Sequence, residues 1–202
     1  MEEKVANSFR ILSLYRTDYS ASIHVRAMAK LISTSHVTLL PHLKRLEQLK
    51  ILYSEKTGKN KEYRLNKDNI LTKHYLTITE ELTTINYLEK NFLMKKLAEH
   101  LASTDTASPL ILFGSYTKDY ATEESDIDLF CIGKTPQNQI NHIKKFESTF
   151  GKKINIETAT TENFNTALRT GDSLIKEIIK NHIILQNADP FVTMLWRYYV
   201  ER

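Results

Sequence analysis

The 202-residue chain is poor in the residues that cross-link or punctuate a fold: one cysteine, four prolines, five glycines and one tryptophan. A lone Cys131 makes no internal disulfide and supplies no cysteine-based zinc site by itself. No apolar stretch approaches the ~20 residues of a membrane-spanning helix. Met1-Glu2-Glu3-Lys4 also lacks the basic start and apolar run of a secretion signal. A soluble, cytoplasmic protein with no membrane partner is therefore expected. The scarcity of glycine and proline excludes collagen-like and low-complexity chains. With 41% hydrophobic and 26% charged residues, the chain has the composition and length to bury a core in one large domain or two small ones.

Charge is unevenly distributed. Residues 1–75 hold 14 Lys and Arg against seven Asp and Glu, a surplus of +7, while the remainder holds 14 against 17, or −3. A basic module joined to a mildly acidic one points to a polyanion partner for the first half only, because Lys and Arg drive nucleic-acid affinity by neutralising phosphates.

In the basic half, Val5 to Tyr15 and Ile23 to Ile32 carry apolar residues near helical spacing. Ser35 is a candidate N-cap for a third helix whose inward face is Leu39, Leu43, Leu46 and Leu49, leaving Thr38, His42 and Arg45 opposite, with Lys44 alongside. Pro41 removes the amide that would bond to the Val37 carbonyl, so a kink or a later start is expected. Residues 51–55 and 61–65 read as two strands around a turn at 56–60. His42-Leu43-Lys44-Arg45-Leu46-Glu47 and the Tyr53 to Leu65 hairpin resemble the winged helix-turn-helix regulators of the ArsR/MarR type. That resemblance covers residues 1–67. It implies base reading in double-stranded DNA by Ser35, His36, Thr38, His42 and Arg45, with phosphate contacts from Lys56, Lys59 and Lys61 and with Lys44 also on the DNA-binding surface.

Residues 68–105 form a helical connector, read as one long helix or two in succession. Its apolar stripe packs within the monomer or pairs with a second copy; a homodimer is the habit of the family it resembles.

The second half carries the chemistry. Residues 109–113 form a short apolar run ending in Gly114-Ser115, and ten residues later comes Asp126-Ile127-Asp128-Leu129. Strand alternation puts Asp126 and Asp128 on one face and Ile127 and Leu129 on the other. Adjacent carboxylates repel unless neutralised, and a divalent cation is the usual answer. Glycine before Ser115 allows close backbone approach to phosphate, and Tyr116 onward is expected to start a helix whose amide end favours anions. Gly-Ser, ten residues and Asp-x-Asp between two strands resemble the minimal branch of the polymerase β-like nucleotidyltransferases. The resemblance implies that Asp126 and Asp128 hold Mg2+ or Mn2+ and that Gly114 and Ser115 bind the triphosphate; Lys118 is a candidate phosphate contact. A third acid on a neighbouring strand completes the site in active members. In Lys153-Ile154-Asn155-Ile156-Glu157, residues Asn155 and Glu157 share a face, and the catalytic position falls on either.

Thr161 to Arg169 and Ser173 to Lys180 read as helices, His182 to Gln186 as a strand and Pro190 to Arg202 as a C-terminal helix. The stretch from Asn155 to Gln186 resembles the tail of microbial proteins that fuse a winged helix to a minimal nucleotidyltransferase. The expected architecture is α+β: a winged helix-turn-helix at 1–67, a connector at 68–105 and a nucleotidyltransferase domain of mixed sheet and flanking helices at 106–202. The expected activity is metal-dependent transfer of a nucleoside monophosphate, AMP from ATP, to a hydroxyl of a protein or nucleic acid. Relatives of the minimal branch modify tyrosines of a cognate toxin, which makes a protein acceptor plausible. The competing expectation is a transcription regulator whose second domain only senses nucleotide. RNA end modification ranks lower, because the chain lacks RNA-gripping domains.

Overall fold

The computed structural model describes residues 2–58, 60–104, 106–118 and 120–201. It divides into two units, Met1–Leu82 with Leu195–Arg202 and Thr83–Met194. The division runs through two helices, α4 (Ile70–Lys90) and α9 (Ala188–Val200).

The first unit contains α1 (Glu2–Leu12), β1 (Ile23–His24), α2 (Val25–Leu31), α3 (His36–Gln48), β2 (Leu52–Thr57) and β3 (Asn60–Leu65). Its antiparallel sheet has the order β1-β3-β2. Leu39, Leu43 and Leu46 of α3 are fully buried, as are Ile11, Leu12, Tyr15 and Met28. The Tyr15 hydroxyl donates to the Tyr63 carbonyl at 2.8 Å, tying the segment after α1 to β3, and burial pushes its phenol well above the ordinary value.

Ile23 and His24 are strand rather than helix. They pair with Tyr63 and Glu62, and His24 then caps α2, its Nδ1 accepting from the Ala27 amide at 3.2 Å. Ser35 caps α3 as expected, its Oγ accepting from the Thr38 amide at 3.1 Å. The helix neither starts late nor ends at Pro41 but continues to Gln48. Pro41 lies one turn in, and the Val37 carbonyl it leaves without an amide belongs to an exposed residue, where water can replace the lost bond. Leu49 lies beyond the helix end and is exposed rather than inward-facing.

The connector is two helices, α4 and α5 (Phe92–Leu101), broken at Asn91. Among the described residues no helix is long and apolar enough to cross a membrane.

The second unit is built on β4 (Leu110–Phe113), β5 (Ile127–Ile132), β6 (Ile154–Ala159) and β7 (Ile183–Gln186), in the order β6-β5-β4-β7. The β4 strand is antiparallel to both neighbours; β5 and β6 are parallel. Parallel neighbours need a crossover, supplied by α6 (Gln137–Phe150), an element with no counterpart in the sequence reading. One face of the sheet, with Leu110, Leu112, Ile127, Leu129 and Cys131, packs on Met94, Leu97 and Leu101 of α5 and Ile143 and Phe146 of α6. On the other face Phe130 meets Phe164 of α7 (Thr161–Thr170), and Phe164 in turn meets Phe191 of α9. With both faces covered, β4 is apolar at every position. Cys131 is free and buried.

Candidate active site

The register places the candidate acids. Phe113 pairs with Asp128 across β4 and β5, and Asp128 pairs with Asn155 across β5 and β6. Alternation then sets Asp126, Asp128, Lys153 and Asn155 on one face, the face that further along carries Phe130. The buried Ile127 and Leu129 fix that orientation, because a one-residue slip would drive both carboxylates into the core.

The side chains converge. Asn155 Nδ2 donates to Asp128 Oδ1 at 3.1 Å and to Asp126 Oδ2 at 3.3 Å. Lys153 Nζ donates to the same Asp126 oxygen at 2.9 Å. The Lys153 ammonium, with the Asn155 amide adding to it, holds the Asp126 carboxyl below its ordinary range, and Asp126 raises Lys153 in return. Thus one ammonium and one amide dipole offset two carboxylates.

Gly114 closes the site from β4. Its φ is +76°, and a Cβ there would stand 2.5 Å from Asp128 Oδ2, so only glycine lets the turn pass this carboxylate. The residues after it form a single 3-10 turn, Gly114–Thr117, not the expected helix. Thr117 Oγ1 pins this turn by donating to the Gly114 carbonyl at 2.9 Å, and it also lies 3.2 Å from the Asn181 carbonyl. Any phosphate cradle here is consequently a glycine turn, without a helix dipole behind it. Ser115 is part-buried beside it.

Other expected site residues lie elsewhere. Glu157 pairs with Phe130 in register, about 6.6 Å farther along β6 than the Asp128 level, and is exposed; Asn155 is the residue that touches both acids. Lys118 forms an ion pair with Glu177 of α8 (Ser173–Lys180) and must leave it to reach a phosphate. In the first unit, His42 is buried, its Nε2 3.5 Å from Asn7 Nδ2, so it is packed inside the unit and is not placed to read base edges. Ser35, His36, Thr38, Lys44 and Arg45 are exposed on or beside α3, and Lys56 is exposed on β2. Lys61 is held by Glu47 at 2.9 Å. Lys59 lies outside the described residues. The sequence offers Asn155 beside Glu157 for this place but does not single out Lys153, which the same alternation that pairs Asp126 with Asp128 sets on their face.

Among the described residues no three or more His, Cys, Asp or Glu side chains form a metal-holding group. The set at this face is two carboxylates plus the Asn155 side-chain amide, whose oxygen and nitrogen exchange places on a flip. These are hard oxygen donors of the kind Mg2+ and Mn2+ accept, and Mg2+ commonly takes one or two carboxylates together with substrate phosphates. The residues fit one such ion.

The family model "Polymerase beta, Nucleotidyltransferase" matches residues 95–191. A Methanocaldococcus jannaschii protein named as a candidate protein adenylyltransferase is 33% identical over 104 residues, 48% of this chain and 68% of that protein. The chain belongs to the polymerase β-like nucleotidyltransferase family. Within this family member the matched region contains all of β4, β5, β6 and β7 and therefore the whole converging face. A chain of a solved structure described as "the toxin-antitoxin with AMP-PNP" aligns over 53% of this chain and 86% of its own, with 15% identity and a TM-score of 0.36, too slight a likeness to carry fold or function across.

Proposed function

We propose that the protein transfers a nucleoside monophosphate, AMP from ATP, to a hydroxyl of a protein or nucleic acid. The observation that carries this reading is the Gly114 turn lying against Asp128 while Asp126 and Asp128 converge on one face of β5. Asp126 and Asp128, with the Asn155 oxygen, are the residues that would hold Mg2+ or Mn2+. Such an ion supplies charge neutralisation for the triphosphate and acidity for the attacking hydroxyl. Gly114 and Ser115 line the triphosphate. The acceptor oxygen bonds to the α-phosphorus as the bond to the bridging oxygen breaks, pyrophosphate departs and the hydroxyl proton passes to solvent. The name of the Methanocaldococcus jannaschii relative supports adenylate as the transferred group and a protein as the acceptor; a cognate toxin is the acceptor that the resemblance to the minimal branch implies.

Residues 1–67 serve as a winged helix-turn-helix that binds double-stranded DNA, 68–105 connect and 106–202 catalyse. The exposed His36, Thr38, Lys44 and Arg45 of α3 and Lys56 of the hairpin support the DNA reading. Leu71, Ile78 and Ile85 are exposed at seven-residue spacing on α4, a pattern that supports pairing with a second copy.

One observation favours a second reading, a nucleotide sensor without turnover: the residue facing both acids is the amide Asn155, not a carboxylate. Incubation of the full chain with α-labelled triphosphates, Mg2+ and cell lysate separates the two. Label fixed to a macromolecule and lost in Asp126→Asn/Asp128→Asn establishes the transferase. Mg2+-dependent nucleotide binding with no label establishes the sensor.

A further inference from the structure

Asp126 Oδ2 accepts two hydrogen bonds at once, from Lys153 Nζ at 2.9 Å and from Asn155 Nδ2 at 3.3 Å. Lys153 is not a lysine that happens to drift near. Its carbonyl accepts from the Ile127 amide at 2.9 Å, which anchors its backbone at the first rung beside the acids. From there its side chain reaches Asp126 while remaining 68% exposed. Its place on the same face as Asp126 follows from the parallel register of β5 and β6.

We propose that Lys153 is a built-in counter-cation that makes divalent-ion binding and nucleotide binding at this face mutually dependent. The inference rests on the nucleotidyl-transfer reading of the site and deepens it. Without ligand, the positive charge the two carboxylates require comes from Lys153. An ion arriving alone must take Asp126 from Lys153 and then sit beside a displaced ammonium, so like-charge repulsion weakens its binding. A triphosphate changes the balance. Its oxygens give the displaced ammonium a new anionic partner while sharing the ion with Asp126 and Asp128. The ion therefore binds more tightly with nucleotide present, and linkage requires the nucleotide to bind more tightly with the ion by the same factor. The exposed side chain leaves Lys153 free to swing between partners without disturbing the core.

Titration of the full-length chain with Mn2+, followed by the electron paramagnetic resonance signal of the free ion, tests this without any turnover. It is run alone and with α,β-methylene-ATP, with ion held by free analogue subtracted. In the native chain the analogue is expected to tighten Mn2+ binding about fivefold or more. Lys153→Met should tighten binding of Mn2+ alone by about fivefold and reduce the coupling, whereas Lys153→Arg, which keeps the charge, should behave as native. Equal Mn2+ affinity in native chain and Lys153→Met overturns the proposal, as does weaker binding of Mn2+ alone in Lys153→Met. Mn2+ binding that is indifferent to Asp126→Asn/Asp128→Asn, or no binding with or without analogue, overturns the nucleotidyl-transfer reading and this inference with it.

Discussion

Gly114 and Asp128 occupy each other's space: a Cβ on the glycine would lie 2.5 Å from the Asp128 Oδ2 atom. The turn that leaves β4 and the carboxylate on β5 are thus a single fitted unit. Gly114→Ala meets two penalties, the φ of +76°, which moving the acid does not relieve, and the collision, which is relieved only by shifting the Asp128 carboxylate or the turn itself. It should cost about 1–3 kcal/mol of stability, read by urea unfolding. It should also weaken Mn2+ binding, because Asp128 is pushed from its partner Asn155. Normal ion affinity in a destabilised Gly114→Ala would mean that Asp128 is not a ligand.

Asn155→Asp probes the face from the other side. A third carboxylate would replace an amide that now donates to both acids. The ion-free variant should melt at a lower temperature, since the new carboxylate would lie beside two others of like charge in place of an amide that donates to them. Saturating Mg2+ should raise its melting temperature by more than it raises that of the native chain. An increase in labelling of acceptor by this variant would show that the native amide limits transfer.

The pH dependence of Asp126 has a definite sign. Lys153 first, then Asn155, stabilises its ionised form, so its folded-state pKa lies below the unfolded value, which is ~3.9. The contribution to stability is therefore present above that unfolded value and is lost as pH falls through the lower folded one. Carbon-detected NMR titration of the aspartate carboxyls should find Asp126 depressed, and Lys153→Met should return it toward the ordinary value. An Asp126 that titrates normally in the native chain would remove the pairing from the solution structure.

Arg16 and Glu80 make a second ionic contact of a different kind. The pair is 2.6 Å apart with Glu80 1% exposed, within the first unit. Removing one partner leaves a charge in a place water does not reach. Arg16→Met should cost about 3–5 kcal/mol by urea unfolding, far more than the loss of the exposed Lys96–Glu99 pair, which solvent screens.

The local chemistry of the candidate site was legible because a strand's two-residue period makes a prediction about faces, and the apolar Ile127 and Leu129 between and after the acids leave one solution. The same period placed Asn155 and Glu157 together on β6 but could not choose between them. That choice depends on how β5 and β6 slide along each other, which is set by the β5–α6–β6 crossover. The α6 helix itself was hidden because Ile140, Ile143, Phe146 and Phe150 are diluted by Gln, Asn and Lys. The β1 strand was hidden for another reason: two residues carry no period, and only β3 beside them makes Ile23 and His24 extended. His42 misled by its polarity. It sits among leucines on the inward stripe of α3, one turn after Leu39, and its position in that stripe, not its side-chain type, decided its burial.

His42 and Arg45 therefore separate folding from DNA binding. Arg45 is exposed on α3, whereas His42, three residues earlier, is buried. Arg45→Ala should leave urea unfolding within about 0.5 kcal/mol of native and weaken binding to duplex DNA. If the contact is to phosphate, the slope of log affinity against log salt becomes shallower by about one. If it is to a base edge, one sequence position loses discrimination while the slope is kept. His42→Ala should do the opposite, opening a cavity beside Leu39 and Leu43 at a cost of about 1–3 kcal/mol, with little effect on DNA affinity once temperature is lowered enough to keep the unit folded. DNA binding that is indifferent to Arg45→Ala and to Lys44→Ala, measured by fluorescence anisotropy at low salt, would remove α3 as the reading surface.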